Sequence, residues 1–161
     1  MLSPEKYLSS VINTQIITID LIVKNSKHEI LLGKRKNFPA KGVYFVPCGH
    51  VYKNETIKEG AYRMLQWELG VIGENKNLRP RCVSEHIYEE NFAGKKDKDG
   101  KFISTHYVSF AFDIHLDEIN ESIFLGQHED ILWLSEKEIL KRDDIHEYVK
   151  LYFKPDAYNR F

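Results

Sequence analysis

Three side chains along this 161-residue chain have the chemistry to act on a phosphorylated substrate. His128 carries an imidazole whose ordinary pKa of roughly 6.5 lets it exchange a proton near neutrality, and it directly follows Gln127, a neutral oxygen donor. Glu68 offers a hard carboxylate oxygen of the kind a divalent cation prefers. Arg35, next to Lys34, presents a planar fork that suits phosphate better than an ammonium group does. The alternative for that pair of cations is an ordinary solvated strand edge. Cys48 and Cys82 have no metal-ligand spacing, so both read as free thiols.

Glu68 has to be held by the stretch GHVYKNETIKEGAYRMLQWELGV, Gly49 to Val71, which follows a turn at Pro47-Cys48-Gly49. Thr56 is an N-cap with Glu59 three residues on, a capping box. Apolar residues then recur at Ile57, Ala61, Met64, Leu65 and Leu69, and Gly70 stops the helix. This stretch resembles the Nudix box, G-x5-E-x7-R-E-U-x-E-E-x-G-U with U aliphatic. Gly49, Glu55, Arg63, Leu65, Glu68, Gly70 and Val71 match in register, while Met64 and Trp67 stand where two of the three clustered glutamates belong. A site of several metals needs several hard ligands, so the chain is expected to hold one ion.

GDP-mannose mannosyl hydrolases are Nudix relatives that lack the same two glutamates. The segments ILLGKRKNFPAKGVYFVPCGHV (Ile30 to Val51), HIYEENF (His86 to Phe92), STHYVSF (Ser104 to Phe110) and QHEDILWL (Gln127 to Leu134) resemble that family in order. The resemblance implies one Mg2+ per active site, with Mn2+ as an alternative, held by Glu68, Gln127 and the backbone carbonyl of Cys48. It implies His128 as general base and Arg35 at the diphosphate, with Tyr107 and, from the box, Arg63 as further substrate contacts. It also puts Asp20 and His86 at active-site positions, and His50 where relatives carry an arginine beside the leaving group. Each has a plainer alternative: an ion pair with Glu59 for Arg63, a strand aromatic for Tyr107, a satisfied polar residue for Asp20 and His86. His28, His115 and His146 read as structural or exposed.

The elements needed to position these residues can be read in chain order. Ser3 caps a helix carrying Tyr7, Leu8 and Val11, which packs on a sheet or on a second subunit. Residues 14–23 and 28–34 read as a hairpin, and Val43 to Val46 as a short strand. Residues 81–91 and 102–116 read as long strands joined by the polar tip Gly94 to Lys101. Leu125 to Asp130 is a polar loop before a strand from Ile131 to Leu134. Ser135 with Glu138 opens a helix, and Asp144 with Glu147 opens another that Pro155 ends. This order predicts one α/β domain over residues 1–161, a Nudix fold in which a mixed β-sheet is sandwiched between helices.

Lys plus Arg at 23 against Asp plus Glu at 24 leaves a net charge of −1, which argues against a nucleic-acid partner. Asp20 interrupts the apolar run IITIDLIV well short of a membrane span. A cytoplasmic protein is expected, and the resemblance implies a homodimer. The leading reading is hydrolysis of a GDP-sugar, GDP-mannose or GDP-glucose, to GDP and free sugar by water attack at the anomeric carbon with inversion. The runners-up are a Nudix diphosphatase cutting phosphorus to oxygen and a catalytically silent nucleotide-binding module.

Overall fold

In the computed structural model, residues 3–72 and 77–154 are described. The elements run α1 (Pro4–Asn13), β1 (Ile16–Lys24), β2 (Ile30–Arg35), β3 (Tyr44–Phe45), β4 (Cys48–His50), α2 (Ile57–Leu69), β5 (Arg79–Tyr88), β6 (Thr105–His115), α3 (Glu121–Gln127), β7 (His128–Leu134), α4 (Glu136–Lys141) and α5 (Glu147–Leu151).

β1 and β2 meet as the hairpin pattern predicts, but only at Lys24 and Ile30 beside the turn. Beyond that point they take different partners. β1 pairs with β6 in parallel along its whole length and with β4 antiparallel on its other edge. β2 takes β3 on one edge and β7 on the other. The divergence leaves room near the Arg35 end of β2, and the functional cleft opens there.

Side-chain alternation along β1 builds two cores, because successive residues of a strand point to opposite faces. Ile19, Leu21 and Val23 pack with Ala61, Met64, Leu65 and Leu69 of α2 and Phe124 of α3. On the other face, Ile22 packs with Ile139 of α4, Val149 of α5 and neighbouring Ile145 and Tyr152. The result is the expected mixed sheet between helices. Among the described residues, no helix is long and apolar enough to cross a membrane.

The caps of α2 form as the sequence predicts: Thr56 and Glu59 make the reciprocal capping box, and Gly70 closes the helix at φ 67°. Ser135 and Glu138 do the same for α4. Three local expectations need correction. Cys48 and Gly49 belong to a short strand, because β1 offers them an open edge once β2 has left it. Leu125 to Gln127 close α3, whose cap Asn120 accepts from Ile123 N. Asp144 does not cap α5, since both its oxygens are held by Arg142 at 2.9 and 2.6 Å, and His146 accepts from Tyr148 N instead. Pro155 lies outside the described residues.

Candidate active site

Arg35, Lys36, Asn37, Cys48, Glu68, Gln127 and His128 line one cleft. Four elements meet there: the end of β2, β4, the last turn of α2, and the junction of α3 with β7. Glu68 is 6% exposed, and Gln127 donates an amide hydrogen to its Oε1 at 2.6 Å. Burial pushes the Glu68 carboxyl up to about 7, against the opposing pull of Arg35, Gln127 and Arg63. Burial also pushes the Cys48 thiol up to about 12, so its sulfur remains protonated and unsuited to act as a thiolate.

Arg35 donates from Nε to the Pro39 carbonyl at 2.9 Å and from Nη1 to Cys48 Sγ at 3.2 Å. Among the described residues it has no carboxylate within ion-pair distance. A largely enclosed cation without a counter-ion is costly on its own and well placed to receive an anion. With Lys36 alongside and only Glu68 opposing, the cleft favours a phosphate group.

His128 is 5% exposed. Its burial, helped by the charges of Arg35 and Lys36, pulls its pKa down to about 4, partly offset by a hydrogen bond to the Phe124 carbonyl. The sequence suggests a base switching near neutrality. In the fold the ring is neutral throughout the physiological range, because a charged imidazole would be desolvated here.

The remaining candidates do not line this cleft. Arg63 grips Glu55 through two bonds of 2.6 and 2.8 Å and donates to the His50 carbonyl at 2.9 Å. Its partner is not Glu59, whose carboxylate is engaged at Thr56. Arg63 thus ties the loop before α2 to the helix. His50 stacks on Tyr7 of α1, ring centroids 4.7 Å apart, and burial beside Arg63 lowers its pKa. A neutral, stacked ring does not fit the leaving-group cation expected at this position.

Asp20 points to the α5 face of the sheet, where it accepts from the Tyr152 hydroxyl and is 2% exposed. His86 lies against the same hydroxyl and Ser84, stacked on Tyr148 at 4.3 Å. The Tyr152 hydroxyl is thus shared by the two. Tyr107 is packed edge-on to Tyr88 at 5.8 Å, and its hydroxyl shares a hydrogen bond with Tyr7.

The two absent glutamates are accounted for differently. Trp67 is 49% exposed, whereas Met64 is buried beneath β4, its sulfur only 2.5 Å from where a Cβ on Gly49 would lie. The space of a second metal ligand is filled by thioether. Met64→Glu is therefore expected to destabilise the fold by about 3 kcal/mol or more, the scale for burying an unpaired charge, and to add no second metal. Urea unfolding checks this; a loss below about 1 kcal/mol would mean that a carboxylate is accommodated there.

The donor set fits one hard ion. The enclosed space is about 20 Å³, room for roughly one ion or water, and the cleft supplies the oxygens of Glu68 and Gln127 and the backbone of Cys48. Among the described residues no three His, Cys, Asp or Glu side chains form a cage.

A family model described as the NUDIX domain matches residues 14–154. This chain belongs to the Nudix family. It is 36% identical over 119 residues to the low-salt glycan biosynthesis protein Agl8 of Haloferax volcanii, covering 72% of this chain and 69% of that protein. It is 39% identical over 62 residues to an ADP-ribose pyrophosphatase of Methanocaldococcus jannaschii, covering 38% of this chain and 36% of the relative. The crystal structure of a MutT NUDIX hydrolase from Burkholderia pseudomallei superposes with a TM-score of 0.65 at 19% identity, over 88% of this chain and 97% of that one. The protein is a Nudix hydrolase, an enzyme class that generally uses divalent metal ions, and the box helix α2 contributes Glu68 to the cleft.

Proposed function

We propose that this Nudix hydrolase uses a single divalent ion, Mg2+ or Mn2+, to convert GDP-mannose or GDP-glucose to GDP and free sugar, with inversion at the anomeric carbon. The observation that carries this reading is a cleft lined by one carboxylate, a neutral buried histidine and an arginine with no carboxylate partner among the described residues. Attack at phosphorus benefits from metals that both clamp the phosphates and generate hydroxide. Attack at carbon asks for less, because the diphosphate already leaves as an anion.

In this reading Arg35 and Lys36 hold the diphosphate, and His128 accepts the proton of the water that attacks the sugar carbon. The electron pair of the broken carbon–oxygen bond passes to the diphosphate, where Arg35 meets the new charge. An ion held by Glu68, Gln127 and the Cys48 carbonyl would supply further charge neutralisation at the phosphates. A glycan-biosynthesis relative at 36% identity agrees with a nucleotide-sugar substrate. The homodimer and the cytoplasmic location belong to the same proposal.

The second reading, a diphosphatase, draws on the shorter match to an ADP-ribose pyrophosphatase. A panel of nucleotide sugars with product identification separates the two. Free sugar with nucleoside diphosphate is the expected result, and sugar phosphate with nucleoside monophosphate would establish the second reading.

A further inference from the structure

We infer that Gly33 and Phe124 are positioning residues that hold His128 in one tautomer with its Nε2 directed into the cleft; this deepens the proposal that His128 is the base and rests on it. The first observation is a hydrogen bond. His128 Nδ1 lies 3.0 Å from the Phe124 carbonyl, and a carbonyl can only accept, so Nδ1 carries the hydrogen. In a neutral imidazole the lone pair then belongs to Nε2. Among the described residues no other hydrogen bond to the ring is formed, and the ring lines the cleft.

The second observation is the space the ring occupies. The Phe124 ring stacks on it with centroids 4.1 Å apart and planes at 19°. The edges of both rings lie over Gly33, where an added Cβ would sit 2.3 Å from His128 Cδ2, 2.5 Å from Cγ and 2.7 Å from Phe124 Cζ. Atoms do not approach so closely, so any side chain at 33 expels the imidazole, the phenyl ring, or both. Gly33 is needed here for close approach and not for backbone freedom, because it lies within β2.

The third observation explains how the ring reaches this socket. Gly33 pairs with Ile131 and Arg35 with His128, so two steps along β2 match three along β7. A β-bulge of this kind re-aims the side chains beside it. Lys36 holds the other flank, donating to the Leu125 carbonyl at 2.7 Å and the Gly126 carbonyl at 3.4 Å at the last turn of α3. Phe124, four residues before His128 on that turn, contributes both its ring and its carbonyl. The base is thereby fixed by the strand before it in space and by the helix before it in sequence.

The test uses the full chain in wild type, Gly33→Ala and Phe124→Leu, with His128→Gln to assign the His128 signals. Nitrogen-15 NMR of the imidazoles is expected to show His128 as the Nδ1–H form in the wild type and a mixture of tautomers in Gly33→Ala. With the nucleotide sugar found to be hydrolysed, kcat of Gly33→Ala is expected to fall on the order of 100-fold, the scale of a displaced catalytic group, while KM changes by less than about 3-fold. Phe124→Leu keeps the carbonyl and loses the stack, so a smaller loss of about 10-fold is expected; it also serves if Gly33→Ala fails to fold. A single unchanged tautomer in the variants would overturn the socket whatever the enzyme hydrolyses. A changed tautomer with unchanged kcat would instead remove His128 from the chemistry, which is a failure of the proposed function and not of the socket.

Discussion

Replacing His128 by Gln is expected to lower kcat by about 100-fold or more, the usual scale for losing a general base. Glutamine matches the polarity of imidazole but cannot accept a proton at neutral pH, and the charges that hold the phosphates, Arg35 and Lys36, are untouched. KM should therefore change little. The pH profile adds a sharper condition. Because burial pulls the His128 pKa down to about 4, and because saturating Mg2+ would hold ionised the Glu68 carboxyl that burial otherwise pushes up to about 7, the wild-type kcat/KM at saturating Mg2+ should be flat from about pH 6 to about pH 8 and fall only on the acid side, where the free enzyme's base takes up its proton. No alkaline limb is expected from His50, whose pKa is lowered by burial and by Arg63. Near-normal turnover of His128→Gln, or an acid limb that survives unchanged in the variant, would take His128 out of the mechanism.

The second large effect is expected at Arg35. Its guanidinium is anchored by Pro39 and Cys48 and has no carboxylate partner among the described residues, so its positive charge is free to meet the departing diphosphate. Arg35→Ala should reduce kcat/KM by about 100- to 1000-fold, the range for removing one charge-stabilising donor. Arg35→Lys should recover only part of this, since an ammonium group loses the fork that reaches two oxygens. Stability should behave in the opposite way. An enclosed cation without a counter-ion is a cost to the free protein, so the urea midpoint of Arg35→Ala should stay level or rise. A variant with full kcat/KM but a lowered midpoint would make Arg35 a structural residue.

The parts of the fold that could be read from sequence are those governed by local rules. Thr56, Glu59 and Gly70 announce both ends of α2 through capping alone, and the branched run of residues 14–23 marks the strand that becomes β1. The box register draws attention to Glu68, the family resemblance of the flanking segments adds Arg35, Cys48, Gln127 and His128, and the structure gathers these residues around one cleft. What stays hidden depends on partners distant in the chain. Asp20 is directed by Tyr152, 132 residues away, and His50 by a ring on α1. Neither contact has a local signature.

Short elements were hidden for a different reason. β4 exists because β1 and β2 diverge, a property of the sheet and not of the triplet Cys48-Gly49-His50. α3 spans Glu121–Gln127 with a glycine near its end, too short for helical periodicity to stand out. Its cap Asn120 was a usable signal, and it would have drawn attention to Phe124. The place of Arg63 turns on a competition: Glu59 is committed to the capping box, so the arginine reaches Glu55 eight residues back. The spacing of helix ion pairs does not anticipate that choice.

The proposed reaction rests on attack of water at the sugar carbon. It is tested most directly by turnover in oxygen-18 water, with the nucleotide sugar the panel identifies and saturating Mg2+, followed by mass spectrometry of both products. Label in the sugar and none in the nucleoside diphosphate is the predicted result. Label on phosphorus would rule out attack at carbon, because it would place the attack on the diphosphate and leave His128 and the cleft serving a different reaction.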